Sequence, residues 1–101
     1  MSTCGVSIVP IGKGASVSAV LSRCLKVLGR YPDLKWKLTP MSTQIEGPTA
    51  RIFEAIQAMH QQPFEEGVPR VYTVIALDER RDKELTLDGK VAAVESKLTS
   101  G

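Results

Sequence analysis

Aromatic residues are scarce in this chain of 101 residues: one tryptophan, two tyrosines and two phenylalanines make up 5% of it, and there is one histidine. A surface that stacks nucleic-acid bases needs aromatics on neighbouring strands, and a histidine-centred metal site needs further ligands at defined spacing. Neither pattern is present. The two cysteines, Cys4 and Cys24, form no CxxC pair; each lies beside apolar neighbours on an expected strand or helix, so both read as buried free thiols. Charge of one sign is also missing, because 13 basic and 11 acidic residues are mixed along the chain and leave a net +2. Such a balance gives no field to steer a polyanion. No apolar run approaches the ~18 residues of a membrane span, and MSTCGVSIVP lacks the basic leader and long apolar core of a secretion signal. The expected location is cytoplasmic.

What is there is an ordinary globular composition, 43% hydrophobic and 24% charged, in a length that suits one domain spanning residues 1–101. Cys4 to Pro10 reads as a first strand with Val6 and Ile8 on one face. Ser16 is placed to cap a helix in which Val17, Val20, Leu21, Cys24, Leu25 and Leu28 form an apolar stripe ending near Gly29. Leu34, Trp36 and Leu38 alternate with Lys35, Lys37 and Thr39, the pattern of a strand with one dry face. Met41, Thr43 and Ile45 alternate with Ser42, Gln44 and Glu46 in the next strand. Pro48 suits the first position of a second helix, with Ile52, Phe53, Ile56, Met59 and His60 on its buried side and Gly67 as its stop. Arg70 to Asp78 is the strongest strand, and a last helix carries Leu87, Val91, Val94 and Leu98. The order βαββαβ with an added C-terminal helix is that of an α+β, ferredoxin-like sandwich.

The fourth strand is apolar on both faces, with Val71, Ile75 and Leu77 on one and Tyr72, Val74 and Ala76 on the other. A two-layer domain covers one face only, so the other must meet the last helix, a second subunit or a ligand, and a homo-oligomer formed partly through the sheet is expected. Catalysis finds no support: His60 lies among helix-packing positions, and the neighbouring carboxylates Glu65 and Glu66 diverge. RNA recognition fails because the strands expected to be central, the first and fourth, offer Tyr72 alone. GKGAS, with Lys13, lacks the nucleotide-binding glycine and lysine spacings. Glu46, before a Gly-Pro step, has two readings. One is a solvated strand end paired with Arg51 or a lysine of the second strand; the other is a walled-in carboxylate, kept ionised by the second helix's N-terminus and facing a cationic or amine-bearing ring.

The segments SIVPIG, MSTQIEGP, RVYTVIALDERRDK and LTLDGKVAAVE, in this order and spacing, resemble the small YkoF-like thiamine-binding protein family over about residues 6–98. That resemblance implies a ferredoxin-like domain that assembles through its sheets into a homodimer or homotetramer and binds thiamine or a related pyrimidine without transforming it, with no cofactor. The family's T-x-I-E-G run matches Thr43, Ile45, Glu46 and Gly47. The implied ligand-binding residues are Met41, Thr43, Gln44, Ile45 and Glu46, with Pro10 and Ile11 from the turn after the first strand. Arg81, Asp82 and Lys83 match a charged loop of structural or inter-subunit role. One departure is Met41-Ser42, where the family has methionine-glycine. The competing reading is an assembly protein with no small-molecule ligand.

Overall fold

Val and Ile at alternate positions drive the first element, β1 (Ser2–Ile11), into a strand whose Cys4, Val6 and Ile8 turn to one side and are buried. In the computed structural model, which describes residues 1–12 and 17–100, α1 (Val17–Val27) follows and tightens into a 3₁₀ turn over Leu28–Arg30. The expected Ser16 cap and Lys13 lie outside the described residues. The antiparallel pair β2 (Lys35–Leu38) and β3 (Thr43–Gly47) comes next, then α2 (Thr49–Glu65), β4 (Arg70–Glu79) and α3 (Leu87–Ser100). The result is an α+β architecture with one four-stranded antiparallel sheet, strand order β2-β3-β1-β4, and three α-helices.

That order corrects one expectation. The central strands are β1 and β3, while β4 is an edge strand. Neither central strand carries an aromatic residue, which removes the base-stacking platform more completely than the sequence reading did. Edge position also explains why the most apolar strand is so open: Ile75 and Leu77 share the helix-facing side with their partners Val6 and Cys4 but remain exposed.

The core lies between the inner sheet face and α1 and α2, and is built from residues such as Val6, Cys24, Leu28, Ile45, Ile52, Ile56 and Met59. Phe53, expected on the buried side of α2, is exposed; Ala55 and Pro63 fill that side instead. His60 is half-buried and its Nδ1 lies 2.7 Å from Thr73 Oγ1, tying α2 to β4. Pro48 stands one residue before the helix as its cap, with extended ψ of 133°, and its carbonyl accepts the first helical bond from Ile52 N–H at 3.0 Å. Pro63 does not stop α2. The helix closes at Gly67, whose φ of 84° lets Val68 N–H reach back to the Pro63 carbonyl.

Both cysteines are free and buried. Burial raises the Cys4 thiol, and burial with the nearby Glu66 charge pushes Cys24 up to about 11. Both therefore stay protonated and act as small apolar fillers.

The dry face expected for the second strand is present but uncovered. Trp36 and Leu38 stand opposite Ile45 and Thr43 on the helix-facing side, yet are 42% and 62% exposed. The stripe on α3 is uncovered as well: Val91, Val94 and Leu98 are exposed and the helix buries no residue. The Cα radius of gyration is 15.2 Å, against about 13 Å for a compact chain of this length.

Candidate functional site

Strand alternation decides what the T-x-I-E-G segment can do. Ile45, opposite Trp36 and Cys4, is wholly buried in the core, with 0% exposure. Thr43 points to the same side. Gln44 and Glu46 point to the outer side, alongside Lys37 and Lys35 of β2 and Gly5 and Thr3 of β1.

Glu46 is enclosed, at 8% exposure, but its carboxylate already has work: Oε1 accepts the backbone N–H of Leu87 at 3.2 Å. Leu87 opens α3, so Glu46 satisfies one of the helix's orphan donors from a distant strand. Thr86 caps the same turn locally, its Oγ1 accepting from Gly89 N–H at 3.0 Å, and Asp88 adds a favourable charge to the first turn. The helix start beside Glu46 is thus that of α3, not the α2 start that the sequence reading invoked. Nor does Arg51 approach it. That guanidinium clasps Asp33 through two bonds of 2.9 and 3.0 Å, bonds Glu54 at 2.7 Å and lies 4.8 Å over the Tyr31 ring.

Two hollows flank this outer-face junction. One, of about 370 Å³, is lined by Glu46 with Leu34, Lys35, Trp36, Lys37, Leu87 and Asp88. The other, of about 480 Å³, lies under α3, where Gly5 leaves the sheet floor without a side chain between Gln44 and Ala76, and Lys90 bonds Asp78 at 2.6 Å. In the first, two lysines face two carboxylates, so it has no net preference for a cation.

A larger hollow, about 670 Å³, opens at the β2–β3 turn, where residues from both faces of β1 reach it. Its walls are Val6, Ile8, Val9, Val17, Leu21 and Leu38; its polar rim is Ser7, Thr39, Ser42 and Thr43, with Pro40 and Met41 at the turn. The turn is fixed by Thr39, whose N–H and Oγ1 both donate to the Ser42 carbonyl at 2.9 and 2.7 Å, and by Ser7 Oγ donating to the Met41 carbonyl at 3.2 Å. Met41 itself is 87% exposed. No charged residue is among the described lining residues.

The seven residues implied by resemblance therefore do not line one hollow within the chain. Met41 and Thr43 border the large hollow, Gln44 and Glu46 belong to the opposite face, Ile45 is core, and Pro10 and Ile11 finish β1. Sequence reasoning missed Leu21 and Leu38, which form walls of the large hollow, and the hydroxyls of Ser7, Thr39 and Ser42. The cluster T-P-M-S-T around the turn was the available signal. Arg80 and Arg81 of the charged loop pair within the chain, with Asp82 and Glu79. Glu79 also accepts from Thr49 Oγ1 at 2.7 Å; that bond and Arg81 hold its carboxyl below the ordinary range. Among the described residues no cluster of His, Cys, Asp and Glu could hold a metal ion, and no helix is long and apolar enough to cross a membrane.

Comparison with known proteins agrees with this architecture. The UPF0045 protein YqgV of Bacillus subtilis is 43% identical over 102 residues, covering 97% of this chain and 98% of that one. The crystal structure of the hypothetical protein MJ1052 from Methanocaldococcus jannaschii superposes with a TM-score of 0.86 at 37% identity, covering 93% and 95% of the two chains. At 18% identity, and so as a likeness of fold alone, a candidate thiamine biosynthesis or salvage protein of Thermotoga maritima, TM0486, gives a TM-score of 0.76 over 92% and 97% of the chains. The model of the thiamine-binding protein family matches residues 4–95, and the chain belongs to that family.

Proposed function

We propose that this protein binds thiamine or its aminopyrimidine part without chemically changing it, as a cytoplasmic, ferredoxin-like binding protein, and that the ring enters the large hollow at the β2–β3 turn. The observation that carries this reading is the hollow's chemistry. Its apolar walls suit a flat ring, four hydroxyl-bearing residues on its rim can orient ring nitrogens and an exocyclic amine, and the volume of about 670 Å³ lies in the range of small-molecule sites. Burying an unpaired cation is costly. With no carboxylate among the described lining residues, the neutral pyrimidine goes inward and the positive thiazolium stays toward the mouth. Thr43 and Ser42 orient the ring and Met41 packs over it. Glu46 acts from the other face, by holding the start of α3 in place.

Titration calorimetry of the purified protein with thiamine and with the isolated aminopyrimidine tests this reading. The expected result is saturable heat with both, weakened by Thr43→Val. Absence of heat and of thermal stabilisation at millimolar ligand would defeat it.

A second copy of the chain completes the assembly. Val9, Tyr72 and Val74 form an exposed apolar patch on the outer sheet face, where Val9 stands opposite Tyr72, and α3 adds Val91, Val94 and Leu98. A patch of this kind needs cover. The assembly-only alternative expects the same dimer or tetramer but no heat of ligand binding.

A further inference from the structure

Leu21 and Leu38, walls of the large hollow, also line a second groove, of about 450 Å³, between α1 and the open edge strand β2, so this pair of side chains borders both hollows. Two features set the groove apart from the first hollow. Trp36, the chain's single tryptophan, stands in it half open to solvent, and Lys26 is the one charged residue among its described lining residues. Trp36 and Leu38 are two positions apart on one face, ~6.6 Å along the strand, a step comparable with two rings joined through one carbon.

Building on the assignment of the pyrimidine to the first hollow, we propose that this groove is the second half of the same site: the Trp36 indole stacks on the cationic azolium ring, and Lys26 takes the anionic end of a phosphorylated side arm. An indole face is the best aromatic surface for a cation, and an ammonium on a flexible stem suits a phosphate at the solvent edge. The pairing matches charge at both points. A neutral apolar occupant would leave Lys26 without a role, whereas a cationic ring with an anionic arm uses both Trp36 and Lys26. The exposure of Trp36, unexplained by packing within the chain, follows from this assignment.

The single tryptophan makes the test direct. Intrinsic fluorescence and calorimetry are followed while the wild-type protein is titrated with the isolated aminopyrimidine, thiamine and thiamine monophosphate. Both two-ring ligands are expected to change Trp36 emission, and the aminopyrimidine is expected to bind with little change. Trp36→Leu should weaken thiamine about two- to five-fold, the reach of an exposed cation–π contact, and leave the aminopyrimidine unaffected, with Trp36→Phe restoring part of the loss. Lys26→Ala should weaken the monophosphate relative to thiamine. If all three ligands give heat while emission stays constant and Trp36→Leu and Trp36→Phe bind as the wild type does, the second subsite is wrong and the first stands. If none gives heat, the pyrimidine assignment falls and this proposal falls with it.

Discussion

Thr43 and Glu46 lie three residues apart on one short strand, and the structure gives them unrelated tasks. Thr43 faces the helices' side and borders a hollow of about 670 Å³ with no charge among its described lining residues; Glu46 faces the opposite side and accepts the first N–H of α3. A compact sequence motif on a strand is therefore not a compact site. Side chains alternate, so T-x-I-E-G is divided between a ring-sized cavity, a core position and a helix anchor. Enclosure of a carboxylate, likewise, is by itself no sign of a ligand, since one Glu46 oxygen already accepts a backbone donor.

The largest effect is expected at the core residue between Thr43 and Glu46. Ile45→Ala should cost about 2–5 kcal/mol, because it empties a fully buried position in β3 that both faces depend on. Denaturant unfolding of the pure protein would measure this, and a loss under 1 kcal/mol would mean that β3 is not the keystone described here. Gly47 sharpens the point: a Cβ there would collide with the Leu34 side chain, so Gly47→Ala should also destabilise.

Next in size is the outer face beyond the reach of α3. Tyr72→Lys or Val74→Lys should dissociate the oligomer by placing a charge in the proposed interface, and light scattering would register the fall in mass. Unchanged mass in both variants would place the interface elsewhere.

A smaller and more local effect is expected at the anchor itself. Glu46→Ala removes the acceptor for Leu87 N–H and should cost about 1 kcal/mol, the size of a lost cap. Since α3 buries no residue, the loss should appear as faster hydrogen exchange in α3 while amides of β1 and β3 keep their protection. Equal acceleration in the sheet would show that Glu46 supports the core as well.

The mildest expectation concerns acid. Glu79, held low first by Thr49 and then by Arg81, binds fewer protons folded than unfolded. Its stabilisation is complete above the ordinary Glu value of roughly 4.3 and fades as pH falls through the lower folded value. Asp33 beside Arg51 and Asp82 beside Arg80 act in the same direction. Thr49→Val should flatten the acid limb of a stability profile; an unchanged limb would remove Glu79 from this account.

Much of this architecture was legible in the sequence because each element carries its own period. The three-and-four spacing of Val20, Cys24 and Leu28 and the alternation of Cys4, Val6 and Ile8 placed helix and strand within a few residues of their observed bounds. Coverage was not legible. Trp36 and Leu38 read as a dry face from pattern alone, but pattern reports which residues share a face and not whether anything packs on it. Strand order was equally hidden, since β4's apolar run suits an edge facing a partner as well as a centre. The candidate site was half visible: resemblance drew attention to Met41 and Thr43, whereas Leu21 comes from α1 and joins them only through long-range packing.

The most direct measurement is a calorimetric titration with thiamine of two variants side by side, Thr43→Val and Glu46→Gln. Weakened binding in the first and near wild-type affinity in the second is the result expected if the ring lies at the β2–β3 turn. Full affinity in Thr43→Val, with binding abolished in Glu46→Gln, would contradict the account and move the ligand to the outer face, beside α3.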